Sequence, residues 1–118
     1  MKIELELTPS QFVYLSALLH AFCESNKYNF HMFSRQEKAK YTISQAMADR
    51  LYNRSRGLMR HPTPIITKKG KPKLHKLTLI YHEAQTASIF MCEAKDKETD
   101  DFCRALANNI YSQLDQKL

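Results

Sequence analysis

Residues 2–11, KIELELTPSQ, fall on residues 76–85, KLTLIYHEAQ, when shifted forward by 74. Lys2 meets Lys76, Ile3 meets Leu77, Leu5 meets Leu79 and Gln11 meets Gln85. A second match has an offset of 59 and places residues 43–52, ISQAMADRLY, on residues 102–111, FCRALANNIY. Ile43 meets Phe102, Ala46 meets Ala105, Met47 meets Leu106, Ala48 meets Ala107, Leu51 meets Ile110 and Tyr52 meets Tyr111. Self-similarity of this kind marks a supersecondary unit used twice, too few copies for a solenoid.

The unit itself is legible. Ile3, Leu5 and Leu7 alternate with Lys2, Glu4 and Glu6, the pattern of a half-buried strand. Thr8-Pro9-Ser10-Gln11 then supplies an N-cap hydroxyl, a proline at the first helical position and a glutamine at N3. The first helix is expected to run to about Glu24 on a stripe of Phe12, Leu15, Leu18, Leu19 and Phe22, widened by Val13, Ala17 and Ala21. A second helix is expected to start at Ser34, with Glu37 closing its capping box, in preference to Thr42 with Gln45, and to end near Gly57, a helix-stopping residue, along a line of Ile43, Met47 and Leu51 with Ala46 beside it.

His61-Pro62-Thr63-Pro64 breaks the chain. Ile65-Ile66-Thr67 and residues 74–81 read as strands, joined by the turn-prone residues 68–73. Residues 83–95 admit a helix or a strand on their apolar run Ile89-Phe90-Met91-Cys92; the repeat selects helix, with Gln85 in the N3 place of Gln11. A fourth helix opens near Thr99, with Asp100 and Asp101 in its first turn and a line of Phe102, Leu106, Ile110 and Leu114.

The expected fold is therefore α+β. A duplicated strand–helix–helix unit (βααββαα-like) forms a single domain over residues 1–118, with a small antiparallel sheet packed on about four helices. The copies span residues 2–59 and 76–118, joined by a basic linker or hairpin over residues 60–75. A length of 118 residues suits one core without metals or disulfides.

Charge is the second informative feature. The net +6 is unevenly placed: residues 25–82 hold thirteen Lys or Arg against Glu37 and Asp49, while the two ends are mildly acidic. Arg50 and Arg54 are four apart on one helix face, and Arg56 and Arg60 follow; the positions matched to Arg50, Arg54 and Arg56 are Asn109, Gln113 and Asp115. Lys68, Lys69, Lys71, Lys73 and Lys76 crowd the linker. The offset falls from 74 to 59, so the first copy has 15 extra residues within residues 25–41, where Tyr28, Phe30, Phe33 and Tyr41 sit among Lys27, His31, Arg35, Lys38 and Lys40. Rings interleaved with cations suit stacking on bases and neutralising phosphates. The structural alternative is that Phe30 and Phe33 anchor a loop to the core and the cations are solvated.

Other chemistry finds little support in the sequence. Five histidines form no i,i+4 metal pair, and His82-Glu83 opens like a zinc-protease motif but has Thr86 where the second His belongs. His20 and Cys23 lack further ligands. No metal, cofactor or catalytic constellation is expected. Three cysteines cannot all pair, which suits a reducing, cytoplasmic compartment, and the longest apolar stretch is too short for a bilayer. Two functions are compatible with these residues. The first is a nucleic-acid-binding protein that grips the phosphate backbone with Arg50, Arg54, Arg56, Arg60 and the lysines of residues 68–76, with little sequence preference. The second is a non-enzymatic interaction or assembly module, a homodimer or the partner of an acidic protein surface.

Overall fold

The computed structural model describes residues 2–60 and 74–118, with Phe30 and residues 58–60 given by backbone alone. Alternating residues put Ile3, Leu5 and Leu7 of β1 (Lys2–Leu7) on the buried face and Lys2, Glu4 and Glu6 in solvent. Thr8 ends the strand and caps α1 (Pro9–Asn26). Its hydroxyl accepts the Gln11 N–H at 3.3 Å, and the Gln11 amide oxygen accepts the Thr8 N–H at 2.9 Å. This reciprocal cap fixes the strand-to-helix corner. After a short 3₁₀ turn at Phe30–Met32, Ser34 caps α2 (Arg35–Arg60) by accepting the Glu37 N–H. β2 (His75–Ile80), α3 (Tyr81–Lys97) and α4 (Asp101–Lys117) repeat the order of the first half.

The two strands form an antiparallel pair in which Leu5 lies opposite Leu77, Ile3 opposite Leu79 and Glu6 opposite Lys76. All four helices cover the apolar face. α1 packs on α2, α3 on α4, and the two pairs meet through α1–α4 and α2–α3 contacts. Phe22 of α1 meets Phe90 of α3 edge-on at 4.8 Å. The core joins the strand leucines to Phe12, Leu15, Leu19, Met47, Leu51, Met91, Ile110 and Leu114. Among the described residues, every buried side-chain nitrogen or oxygen has a hydrogen-bond partner. The architecture is thus the expected small antiparallel sheet under four helices, in β-αα-β-αα order, and residues 83–95 are helical. The expected strand at Ile65-Ile66-Thr67 and the turn at residues 68–73 lie outside the described residues.

Four local expectations are corrected. α2 does not stop at Gly57 but continues to Arg60, because nothing near Gly57 forces a left-handed cap and the residues on either side are good helix formers. The N3 residue of α3 is Glu83, not Gln85: its carboxylate accepts the Ile80 N–H at 3.1 Å, while Gln85 sits a half-turn further on and donates to the Tyr81 hydroxyl. The caps of α1 and α3, Thr8 and Ile80, are therefore 72 residues apart and not 74. Both offsets are even, so both keep the strand faces in phase. Phe102 is 63% exposed and lies off the buried line of α4, which runs through Ala107, Ile110 and Leu114. Ala17, Ala21 and Ala46 are also exposed.

The 72-residue shift also aligns burial: Gln11, Phe12, Leu15 and Leu19 match Glu83, Ala84, Ala87 and Met91, all buried. The 59-residue shift does the same for Ala48, Leu51 and Ser55 against Ala107, Ile110 and Leu114. Tyr14 ties α1 to the α3–α4 turn by donating to Glu98 at 3.0 Å, and burial together with that carboxylate pushes its phenol above the ordinary range.

Two outcomes follow from this packing. A Cβ at Gly57 meets nothing within 4 Å, so Gly57→Ala should raise stability in urea unfolding, by about 0.5–1 kcal/mol from helix propensity. Tyr14 holds its proton more tightly folded than unfolded. Its contribution is therefore complete below about pH 10 and lost as pH rises further, so Tyr14→Phe should flatten the alkaline fall in unfolding free energy. An alkaline limb unchanged in Tyr14→Phe would remove this role.

Candidate nucleic-acid interface

A two-stranded sheet has two outer edges, each with unpaired backbone groups. Side chains from the second helix of each half bond to edge groups of the other half's strand. Along β2, the Arg54 guanidinium donates to the Lys76 carbonyl at 2.9 Å and lies over the Phe12 ring at 4.8 Å. Along β1, the Gln113 amide accepts the Glu6 N–H at 3.0 Å and donates to the Glu6 carbonyl at 2.9 Å, as a neighbouring strand would. Lys117 donates to the Glu4 carbonyl. Arg54 and Gln113 are matched residues in the 59-residue shift, so the charge difference between the halves sits on a shared structural task.

Arg50 has a comparable role. It meets Glu83 at 3.0 Å, and that carboxylate also caps α3. The Glu83 side chain is only 9% exposed, against 49% for Arg50. A carboxylate this far from water needs a cation or several donors. In the other half the same corner is neutral: Gln11 stands for Glu83 and Asn109 for Arg50, and both line a polar recess of about 390 Å³ with Thr8 and Gln113. The arginine therefore accompanies the acid. This pairing gives Arg50 a partner inside the fold that Asn109 does not have.

The buried line of α2, through Met47, Ala48 and Leu51, divides the arginines between two flanks. Arg50 and Arg54 face α3 and β2. Arg56 lies on the flank toward α1, with its guanidinium 5.7 Å from the centre of the Tyr52 ring. Tyr52 in turn stacks near-parallel with His20 of α1, at 6.0 Å and 20°. All three side chains are exposed, Tyr52 by 47%.

Lys76 is exposed on the outer sheet face opposite Glu6, close to Arg54 through its own carbonyl. Lys68, Lys69, Lys71 and Lys73 lie outside the described residues, as do the side chains of Arg60 and Phe30. Tyr28 is 79% exposed with the Lys27 ammonium 5.0 Å from its ring centre. Phe33 packs against the core, edge-on to Tyr41 at 6.2 Å. Both stand at the start of α2, about 30 Å along the helix from Arg54 by its rise per residue. The aromatic insertion and the arginines are thus at opposite ends of α2. Among the described residues, the exposed rings beside Arg56 are Tyr52 and, stacked on it, His20. The signal present in the sequence was the i,i+4 spacing of Tyr52 and Arg56.

Lys40 is engaged elsewhere, 4.6 Å from the Phe90 ring centre and 3.9 Å from Glu93. Among the described residues there is no cluster of three His, Cys, Asp or Glu side chains placed to hold a metal ion. No described helix is long and apolar enough to cross a membrane. No protein-family model, curated protein or solved structure matches this chain.

The neutral and charged corners can be exchanged. Arg50→Asn alone leaves Glu83 without its cation and should cost about 1–3 kcal/mol, the range for losing a hydrogen bond to a charged group. Arg50→Asn with Glu83→Gln copies the Asn109–Gln11 corner and should recover most of that cost. Urea unfolding of the two singles and the double measures the coupling; additive effects would mean the pair is not the reason for either charge.

Proposed function

We propose that this protein is a non-enzymatic nucleic-acid-binding protein that holds phosphates with the basic flank of α2 and the lysine-rich segment after it. The single observation that carries the reading is the segregation of charge. Residues 25–82 hold thirteen of the eighteen lysines and arginines, and Lys68, Lys69, Lys71 and Lys73 follow α2 in the sequence. A stretch of sequence this rich in cations suits a polyanion better than a single acidic side chain.

Arg56, Arg60 and the lysines form the working set of this proposal. Arg50 and Arg54 contribute potential around it while holding Glu83 and the β2 edge. Backbone contacts of this type give little sequence preference. The alternative, docking by addition of a strand, has less support, because Arg54, Gln113 and Lys117 already occupy the outer carbonyls of Lys76, Glu6 and Glu4. Three free cysteines suit a cytoplasmic setting. We also read the two halves as copies of one ancestral strand–helix–helix unit, on the support of the matched burial at shifts of 72 and 59.

Fluorescence anisotropy of labelled oligonucleotides across about 50–200 mM salt tests the phosphate-binding reading. Binding should fall linearly on a log–log plot. Arg56→Glu should weaken it and reduce the slope by about 0.7–0.9 for each phosphate that the arginine no longer neutralises. Affinity independent of salt, or no binding at the lowest salt, would overturn it.

A further inference from the structure

We infer that the exposed His20–Tyr52 ring pair, with Arg56 beside it, is a stacking site for an unpaired nucleobase, so that the preferred ligand is single-stranded nucleic acid. This rests on the phosphate-binding reading above and adds the strand form to it.

Three observations carry the inference. The two rings come from different helices, yet lie within 20° of parallel at 6.0 Å. A near-parallel ring pair is continued by one more planar group, and every nucleobase is one. The Arg56 guanidinium sits 5.7 Å from the Tyr52 ring centre, within cation–π range, and adds a charge where the base's own phosphate would follow. The matched position in α4 shows what a purely structural tyrosine looks like here. Tyr111 is half-buried, packs against the core and lies beneath Lys95 at 4.9 Å. Tyr52 leaves in solvent the surface that Tyr111 buries, and its neighbour on the facing helix is another planar ring.

Duplex bases already stack on each other and offer no free face, so only an unpaired strand can use such a site. The site is small, which suits one or two bases. It also stands apart from the insertion at residues 25–34, so binding through it does not require Tyr28 or Phe33.

The test uses the full chain and two ligands of equal length: a single strand carrying one 2-aminopurine, and a labelled duplex. The 2-aminopurine emission should change on binding, as it does when the base stacks. Tyr52→Ala should weaken the single strand roughly five- to a hundred-fold, the range for removing one base–aromatic stack, and leave its salt slope unchanged. Tyr52→Phe should retain most of the affinity, since it keeps the ring. Duplex binding should be weaker and indifferent to Tyr52→Ala. Tyr52 is half-exposed, and circular dichroism confirms that each variant is folded. Salt-dependent binding that is equal for wild type and Tyr52→Ala, or that favours the duplex, would overturn the stacking site and leave the phosphate reading intact. No binding of either ligand at low salt would overturn both.

Discussion

A sheet of two strands cannot satisfy itself. Among the described residues, each strand has one side paired with the other strand and one side that is not, and only one face of the pair is apolar. Everything else in the fold answers those two deficits. The helices cover the apolar face, which accounts for the burial of Ile3, Leu5, Leu7, Leu77 and Leu79. The open edges are closed by side chains, Arg54 on one and Gln113 with Lys117 on the other. A glutamine can imitate a strand because its amide both donates and accepts in one plane. An arginine can only donate, so Arg54 serves a carbonyl and covers Phe12 with its flat face.

This arrangement couples the halves. The helix that closes the β2 edge belongs to the first half, and the helix that closes the β1 edge belongs to the second. Neither strand–helix–helix unit alone has a partner strand, a closed edge or a complete core. The sheet pairs residues 2–7 with residues 75–80, so its contacts are long-range by construction. Such pairings form only after a large loop has been closed, and folding is expected to be cooperative across the whole chain rather than half by half.

Much of this was legible in the residues. The strand alternation, the Thr8–Gln11 box and the Ser34–Glu37 box depend on neighbours three or fewer positions away, and local rules suffice for them. The antiparallel pairing of the two strands agrees with the small antiparallel sheet expected from the sequence. What local rules could not supply was register across the halves. Lys76 and Gln85 looked like the partners of Lys2 and Gln11, yet the cap of α3 is set by Glu83, because Glu83 alone can reach both the Ile80 N–H and Arg50. Phe102 failed for a related reason. A helix line of i,i+4 residues drifts around the axis, and along α4 the buried edge has moved to Ala107, Ile110 and Leu114.

The arginines show most clearly where composition and structure part. From the sequence, Arg50, Arg54, Arg56 and Arg60 form one basic run with one purpose. In space the buried line of α2 separates them, and the first two have tasks inside the fold. Arg50 pairs with the buried Glu83, whereas the corner of Gln11 and Asn109 carries neither charge. Arg54 is present because a carbonyl faces outward and a phenyl ring needs cover. A guanidinium held in this way keeps unused N–H donors and its full charge, so it still raises the potential of the flank. It cannot, however, leave its post to follow a ligand without exposing Phe12 or stranding a buried carboxylate. The adaptable part of any phosphate grip therefore falls to cations that bear no such duty. Among the described arginine side chains in the second half of α2, Arg56 fits that description, because its contact is an exposed ring and not the core. A nucleic acid would accordingly be held less by the centre of the helix than by the flank shared with α1, where Tyr52 and His20 stand beside the Arg56 guanidinium.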